Sequence, residues 1–168
     1  YEVREKPDDL YPQTQPADGG VIEGEVVAGE TKTGTFVNTY AAKPATLAAG
    51  SIKYEKVLEN WDAIPGAAFD IWLSTSDPAA PLPAEWQTSE DGARYVSKTA
   101  TKDSPSGGFG TITYTKPGEY TYSLYEKTPT PDKQELGIDY SMAVYRAIVT
   151  VADDGMGQLF ASVSMVQT

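Results

Sequence analysis

The chain contains neither cysteine nor histidine. Without a thiolate or an imidazole there is no Ser-His-Asp triad, no thiol nucleophile, and no zinc, haem or iron-sulfur centre of the usual kind. What remains is oxygen-ligand metal binding and the chemistry of carboxylates and lysines. Cations are also scarce: 13 Lys and Arg stand against 24 Asp and Glu, a formal net charge of -11. That balance repels a phosphate backbone, and the basic residues are scattered singly, so neither nucleic acid nor an anionic membrane surface is expected as a partner. The 168 residues hold no run of about 18 apolar side chains and no charged-then-apolar leader, so neither a membrane span nor a secretion signal is expected in this stretch.

Helical periodicity is missing as well. No window longer than about 12 residues repeats apolar positions at three-and-four spacing, and the 15 Gly and 12 Pro punctuate most segments. Runs of Tyr, Val, Ile and Thr with period two recur instead. They predict strands near 1–5, 20–27, 33–40, 51–58, 67–74, 94–100, 109–115, 119–126, 143–152 and 158–166. Turn clusters separate them at Asp18-Gly19-Gly20, 60–66, 77–83, 103–108, Lys116-Pro117-Gly118, 128–137 and 153–157. Short strands at this spacing predict an all-β, immunoglobulin-like β-sandwich.

The stretch 41–50, rich in Ala, Pro and Gly, reads as a linker between residues 1–40 and a larger domain at 51–168. Forty residues of β-structure without disulfides or metal bury too little surface to stand alone. They are expected to be closing strands of a preceding domain, or extra strands packed on the main one.

Side-chain parity puts polar groups on apolar faces. In 52–58, Ile52, Tyr54 and Leu58 share a face with Lys56; in 120–126, Tyr120, Tyr122 and Leu124 share one with Glu126. In the first forty residues, Tyr1 and Val3 align with Glu5, and Phe36 and Tyr40 with Asn38. Burial favours the neutral forms of both an amine and a carboxyl. A neutral amine is a nucleophile, and a protonated carboxyl can polarise a carboxamide and pass a proton to departing ammonia. Lys, Glu and Asn so placed form a reaction set whose product is a Lys-Asn isopeptide. The plainer reading of the same parity has strand ends drifting to the surface, with Lys56 snorkelling into water.

Several stretches resemble the pilin isopeptide-linkage domains of Gram-positive surface proteins, as in streptococcal major pilins. They are IKYEKVLEN at 52–60, AAFDIWL at 67–73, GFGTITYTKPGEYTYSLYEK at 108–127 and GIDYSMAVYRAIVTVADDGMGQLFASV at 137–163. The phrase from Ile112 through Glu126 is the specific part. The resemblance implies Lys56 as the isopeptide amine and Glu126 as the acid. It also implies a last strand bearing the Asn in a Phe-x-Asn setting, which does not occur between Ser51 and Thr168. Residues 1–40 resemble the closing half of a collagen-adhesin B-type domain, with YEVRE at 1–5 as the acid strand and TFVNTY at 35–40 as the Asn strand. Glu5 and Asn38 would be that domain's acid and amide, its lysine lying upstream. In one arrangement both bonds belong to a tandem array cut at each end. In the other, Asn38 serves Lys56: members of this group run first and last strands side by side in parallel, and the chain must return over about seven residues, roughly 23 Å. About eleven linker residues reach at most about 36 to 40 Å, so both arrangements stay open.

Other candidates read more simply. The Asp153-Asp154-Gly155 loop and residues 130–135 lack the alternating oxygen spacing of a calcium loop and read as solvated turns. Trp61, Trp72 and Trp86 suggest a sugar platform, but Trp72 lies in a strand and reads as core. Paired acids such as Glu23 with Glu25, or Glu90 with Asp91, have nothing to set them across a cleft. The expectation is a structural or adhesive module of an extracellular, cell-wall-attached protein or pilus. It is not a turnover enzyme, and it needs no cofactor or metal. Its partners are neighbouring domains of the same protein, and a host glycan or extracellular-matrix protein is a further one. The alternative from a different class is an adhesin module that binds such a ligand through loops at one end of the sandwich.

Overall fold

β-Branched and aromatic residues at alternate positions favour a pleated, half-buried surface, and the chain is built from strands throughout. A computed structural model describes residues 1–6, 8–9, 11, 13–16, 20–135 and 137–168. The Asp18-Gly19 turn read from the sequence, and Leu136 within the 128–137 turn, lie outside the described residues. Two short 3-10 turns, Trp61–Ala63 and Pro131–Lys133, are the helical elements among the described residues.

The chain divides into two units, one of Tyr1–Lys43 with Asp153–Gln158, the other of Pro44–Ala152 with Leu159–Thr168. In the smaller unit β1 (Glu2–Arg4) pairs antiparallel with β3 (Val21–Glu23), and β2 (Gln13–Gln15) with β4 (Val37–Asn38). Strands of two or three residues enclose little. Val3, Val26, Val27 and Val37 are exposed, and none of the described hydrophobic side chains here is fully buried. Hydrogen bonds order the rest: the Tyr40 hydroxyl donates to Asp153 Oδ1 at 2.7 Å and accepts from Gly157 N–H at 3.0 Å.

The larger unit comprises β5 (Ala45–Leu47), β6 (Lys53–Glu55), β7 (Ala68–Thr75), β8 (Gln87–Thr88), β9 (Arg94–Thr101), β10 (Ser106–Gly108), β11 (Ile112–Tyr114), β12 (Gly118–Glu126), β13 (Val144–Asp153) and β14 (Leu159–Gln167). Six of these form one sheet in the order β14-β13-β12-β7-β9-β8, while β5 pairs with β11 and β6 with β10. The inward residues of the sheet include Phe69, Ile71 and Leu73 of β7, Tyr122 and Leu124 of β12, and Val149 of β13. Leu47, Ile52, Phe109 and Ile112 are buried from the shorter pairs. Each such side chain contributes about 1.5 to 3 kcal/mol when fully buried. The buried phenols of the core are bonded: Tyr122 OH donates to the Pro81 carbonyl at 2.7 Å, and Tyr114 OH lies 3.1 Å from Tyr122 OH.

Three sequence expectations change. β5 falls within the stretch read as a linker; its alternation of buried Ala45 and Leu47 around exposed Thr46 is too short, and too close to Pro44, to stand out. β10 falls within the turn read at 103–108. Close packing requires its Gly108, since a Cβ there would lie 2.7 Å from Gly50 Cα. Trp72 is not core. It occupies the face of β7 opposite Phe69, Ile71 and Leu73, half-exposed and stacked on Tyr95 with ring centroids 3.6 Å apart.

Candidate functional site

Glu126 is the last residue of β12, where antiparallel pairing sets Leu124 opposite Leu73 and Glu126 opposite Ile71. Strand parity then turns Tyr120, Tyr122, Leu124 and Glu126 to the interior, and all four are buried. Lys56 follows β6, held in line by its N–H bond to the Pro105 carbonyl at 2.8 Å. The two side chains meet: Lys56 Nζ lies 2.8 Å from Glu126 Oε2, with only 9% and 3% of the respective side chains exposed. The approach is an ion-pair contact rather than an aligned hydrogen bond, for Oε2 has no hydrogen-bond partner by angle. Glu126 Oε1 accepts the Ser141 N–H at 3.2 Å. Buried Phe69 forms the floor, its ring centroid 4.3 Å from Lys56 Nζ.

A cleft of about 290 Å³ opens at this pair, between the β6 edge and the β13–β14 side of the sheet, where Tyr145 and Met165 line it. The bonds Lys56 N–H to Pro105 O and Phe109 N–H to Ile52 O show that the even-numbered residues of β6 face β10. The opposite edge, at Lys53 and Glu55, has no neighbouring strand among the described residues. An amine and a carboxyl in contact, largely shielded from water and beside an unpaired strand edge, can act on a carboxamide carried by another strand.

The smaller unit holds a different pair. Asn38 Nδ2 donates to Glu5 Oε1 at 2.6 Å, and Glu5 Oε2 is buried without a hydrogen-bond partner. Glu5 is half-buried and Asn38 exposed. The sequence reading grouped four residues, and the structure gathers them as Lys56 with Glu126 and Asn38 with Glu5. It missed Phe69 and Ser141. Phe69 carried a signal in its parity with Ile71 and Leu73, whereas Ser141 acts through its backbone N–H and has no side-chain signature.

The chain has two Asn, and the second, Asn60, sits in a left-handed turn at φ 60° ahead of Trp61–Ala63 rather than on a strand. The acidic loop behaves as a turn: Asp153 Oδ1 accepts Gly155 N–H and Asp154 Oδ1 accepts those of Met156 and Gln158. Trp72 is occupied by its neighbours, stacked on Tyr95 and with Lys127 Nζ 4.8 Å from its ring centroid. No helix among the described residues is long and apolar enough to cross a membrane.

An all-β unit with an amine and a carboxyl joined inside its core has the architecture of an isopeptide-type structural domain. The family of FctA, the Spy0128-like isopeptide containing domain, matches residues 52–168, and the chain belongs to it. No curated protein matches the chain.

Proposed function

We propose that the larger unit is a self-cross-linking structural module of a Gram-positive cell-surface protein or pilus, with Lys56 as amine and Glu126 as acid. The observation that carries this reading is the shielded Lys56–Glu126 contact facing a cleft beside the open edge of β6. A strand added along that edge brings an Asn carboxamide to Nζ. Lys56 first passes a proton to Glu126, leaving a neutral amine and a neutral carboxyl in the dry site. The carboxyl donates to the carboxamide oxygen while Nζ attacks its carbon. A proton from Nζ then reaches the departing nitrogen through Glu126, the old C–N bond breaks and ammonia leaves. Amine plus carboxamide becomes secondary amide plus ammonia, and Glu126 is left as the neutral carboxyl that entered the exchange. The event happens once per molecule, so the chain is no turnover enzyme.

The smaller unit is read as the acid and amide of a neighbouring module, Glu5 and Asn38, whose lysine comes from another segment. The hydrogen bond between them favours this assignment over one in which Asn38 serves Lys56, because it commits the amide to its own acid. Joining first to last strand closes nearly a whole domain into one loop. By analogy with a disulfide this contributes on the order of 4 to 5 kcal/mol for a loop of about 100 residues. It also carries tension applied at the termini before the strand ladder is loaded, which suits a Cys-free domain on a cell surface or in a pilus. Burial of Lys56 and Glu126 argues against the loop-binding adhesin alternative.

Intact mass tests the reading, first on the chain alone and then with a synthetic peptide of residues 31–42, a surrogate strand that presents Phe36-Val37-Asn38 in the Phe-x-Asn setting and whose amide is free of Glu5. The expected chain mass equals that calculated from the sequence, and the peptide adds covalently with loss of about 17 Da, one ammonia. Peptide mapping joins it to Lys56, and Glu126→Ala abolishes the adduct. A deficit of about 17 Da in the chain alone, mapped to Asn38 and Lys56, would replace the tandem arrangement by internal strand donation. Absence of any adduct would overturn the cross-linking reading.

A further inference from the structure

We infer that Tyr140 and Ser141, adjacent residues ahead of β13, form a positioning element that decides which oxygen of Glu126 carries the proton. The inference rests on the reading of Glu126 as the cross-linking acid. A backbone N–H only donates, so Glu126 Oε1, which receives the Ser141 N–H at 3.2 Å, is held as an acceptor. A neutral Glu126 therefore has its O–H on Oε2. That is the oxygen 2.8 Å from Lys56 Nζ, and the one with no aligned hydrogen bond to compete for the proton. One main-chain donor thus selects the tautomer that faces the reacting atoms.

The neighbouring residue supports the amine. The Tyr140 ring packs on Phe69 with centroids 5.9 Å apart, and Phe69 in turn lies 4.3 Å beneath Lys56 Nζ. Two consecutive residues so bear on both reaction partners, Ser141 on the acid directly and Tyr140 on the amine through Phe69. The segment is pinned on either side: Tyr140 OH accepts the Glu135 N–H at 3.3 Å, and Ser141 Oγ accepts the Ala143 N–H at 3.3 Å. With Oε1 released, the carboxyl can turn and place its proton on either oxygen. During transfer the single proton that moves from Nζ to the leaving nitrogen has to pass through Oε2, so a turned carboxyl slows the bond exchange without changing its products.

The test compares Ser141→Pro, which removes the N–H, with Ser141→Ala, which keeps it, using the 31–42 peptide as probe over a range of concentrations. Ser141→Pro is expected to lower the maximal rate of adduct formation about tenfold or more while the half-saturating peptide concentration stays within about twofold of wild type. Ser141→Ala, which keeps the N–H to Glu126 and loses the Oγ contact to the Ala143 N–H, is expected to slow the reaction by a smaller factor than Ser141→Pro. A Ser141→Pro chain that reacts at the wild-type rate, or one in which rate and half-saturation change together, overturns the proposal. Tyr140→Ala, which leaves the N–H in place, is expected to slow the reaction by a smaller factor and serves if the proline variant does not fold. Hydrogen exchange on the unreacted chain gives a readout independent of the reaction. The Ser141 amide is expected to be protected in wild type and released in Glu126→Ala. If wild type captures no peptide, the cross-linking reading falls while exchange still decides the positioning; a Ser141 amide that exchanges freely in wild type overturns it.

Discussion

The two units hold related chemistry in opposite surroundings. In the larger one, Lys56 and Glu126 meet at 2.8 Å inside a packed sheet, with a cleft where a third group can enter. In the smaller one, Glu5 and Asn38 meet at 2.6 Å between strands of two or three residues, and Asn38 stands in solvent. The first site has amine and acid without amide; the second has acid and amide without amine. What separates them is the shielding. In the larger unit Phe69 and the inward side chains of β12 keep water from the pair. In the smaller unit Glu5 is half-buried and its partner Asn38 is exposed.

The sharpest break of this comparison is removal of each acid in turn. Glu126→Ala leaves a shielded ammonium with no counter-charge, a lesion that costs about 3 to 5 kcal/mol. Glu5→Ala removes a hydrogen bond whose partner can turn to water, a loss of about 0.5 to 1.5 kcal/mol. Urea unfolding of the two variants measures the difference, and equal losses would mean that burial does not distinguish the sites. The double change Lys56→Met with Glu126→Leu is expected to recover the stability lost in Glu126→Ala, because an apolar pair of similar volume avoids the desolvation cost altogether.

A second contrast lies in the phenols. Burial pushes Tyr114 up from its ordinary value to about 12, and drives Tyr122 upward as well. A phenol whose folded value exceeds its unfolded one of about 10 binds its proton more tightly in the native state. Its contribution is complete below pH 10 and is lost as pH rises toward 12. The larger unit should therefore lose up to about 3 kcal/mol through Tyr114 in that window, with Tyr122 adding further at higher pH. Tyr114→Phe should flatten the fall, as followed by near-ultraviolet dichroism against pH. A slope unchanged in that variant would mean the phenols ionise without strain.

Much of this was legible in the sequence because β-structure writes burial as parity. The long strands β7, β9, β12, β13 and β14 are read directly from alternation, and Glu126 follows from counting two residues at a time from Tyr120. Lys56 follows from Ile52 and Tyr54 in the same way. The reading fails where a strand is too short for alternation to show, as at β5, or where glycine is chosen for closeness rather than for turning, as in β10. It also fails where both faces of a strand carry large side chains: the Trp72 of β7 is as hydrophobic as its neighbours, and only pairing with Ser97 and stacking on Tyr95 reveal its outward face. A backbone donor such as Ser141 leaves no mark in composition at all.

The smallest expected effect tests the exposed side of the comparison. Tyr40 OH donates to Asp153 Oδ1 and receives Gly157 N–H, a three-way contact in the smaller unit. The hydrogen bond to the Asp153 carboxylate holds the Tyr40 phenol above its ordinary value, since ionisation would forfeit that bond and set two anions together. The contribution is present below pH 10 and fades above it, in the same sense as for Tyr114, but solvent screens it. Tyr40→Phe is expected to leave the unfolding midpoint of the chain within error of wild type while the Gly157 amide exchanges faster. Asp153→Asn should lower the pH at which Tyr40 ionises, seen as phenolate absorbance. If Tyr40→Phe instead lowered the midpoint as far as Glu126→Ala, an exposed hydrogen bond would count as much as a buried ion pair, and shielding could not be what separates the two sites.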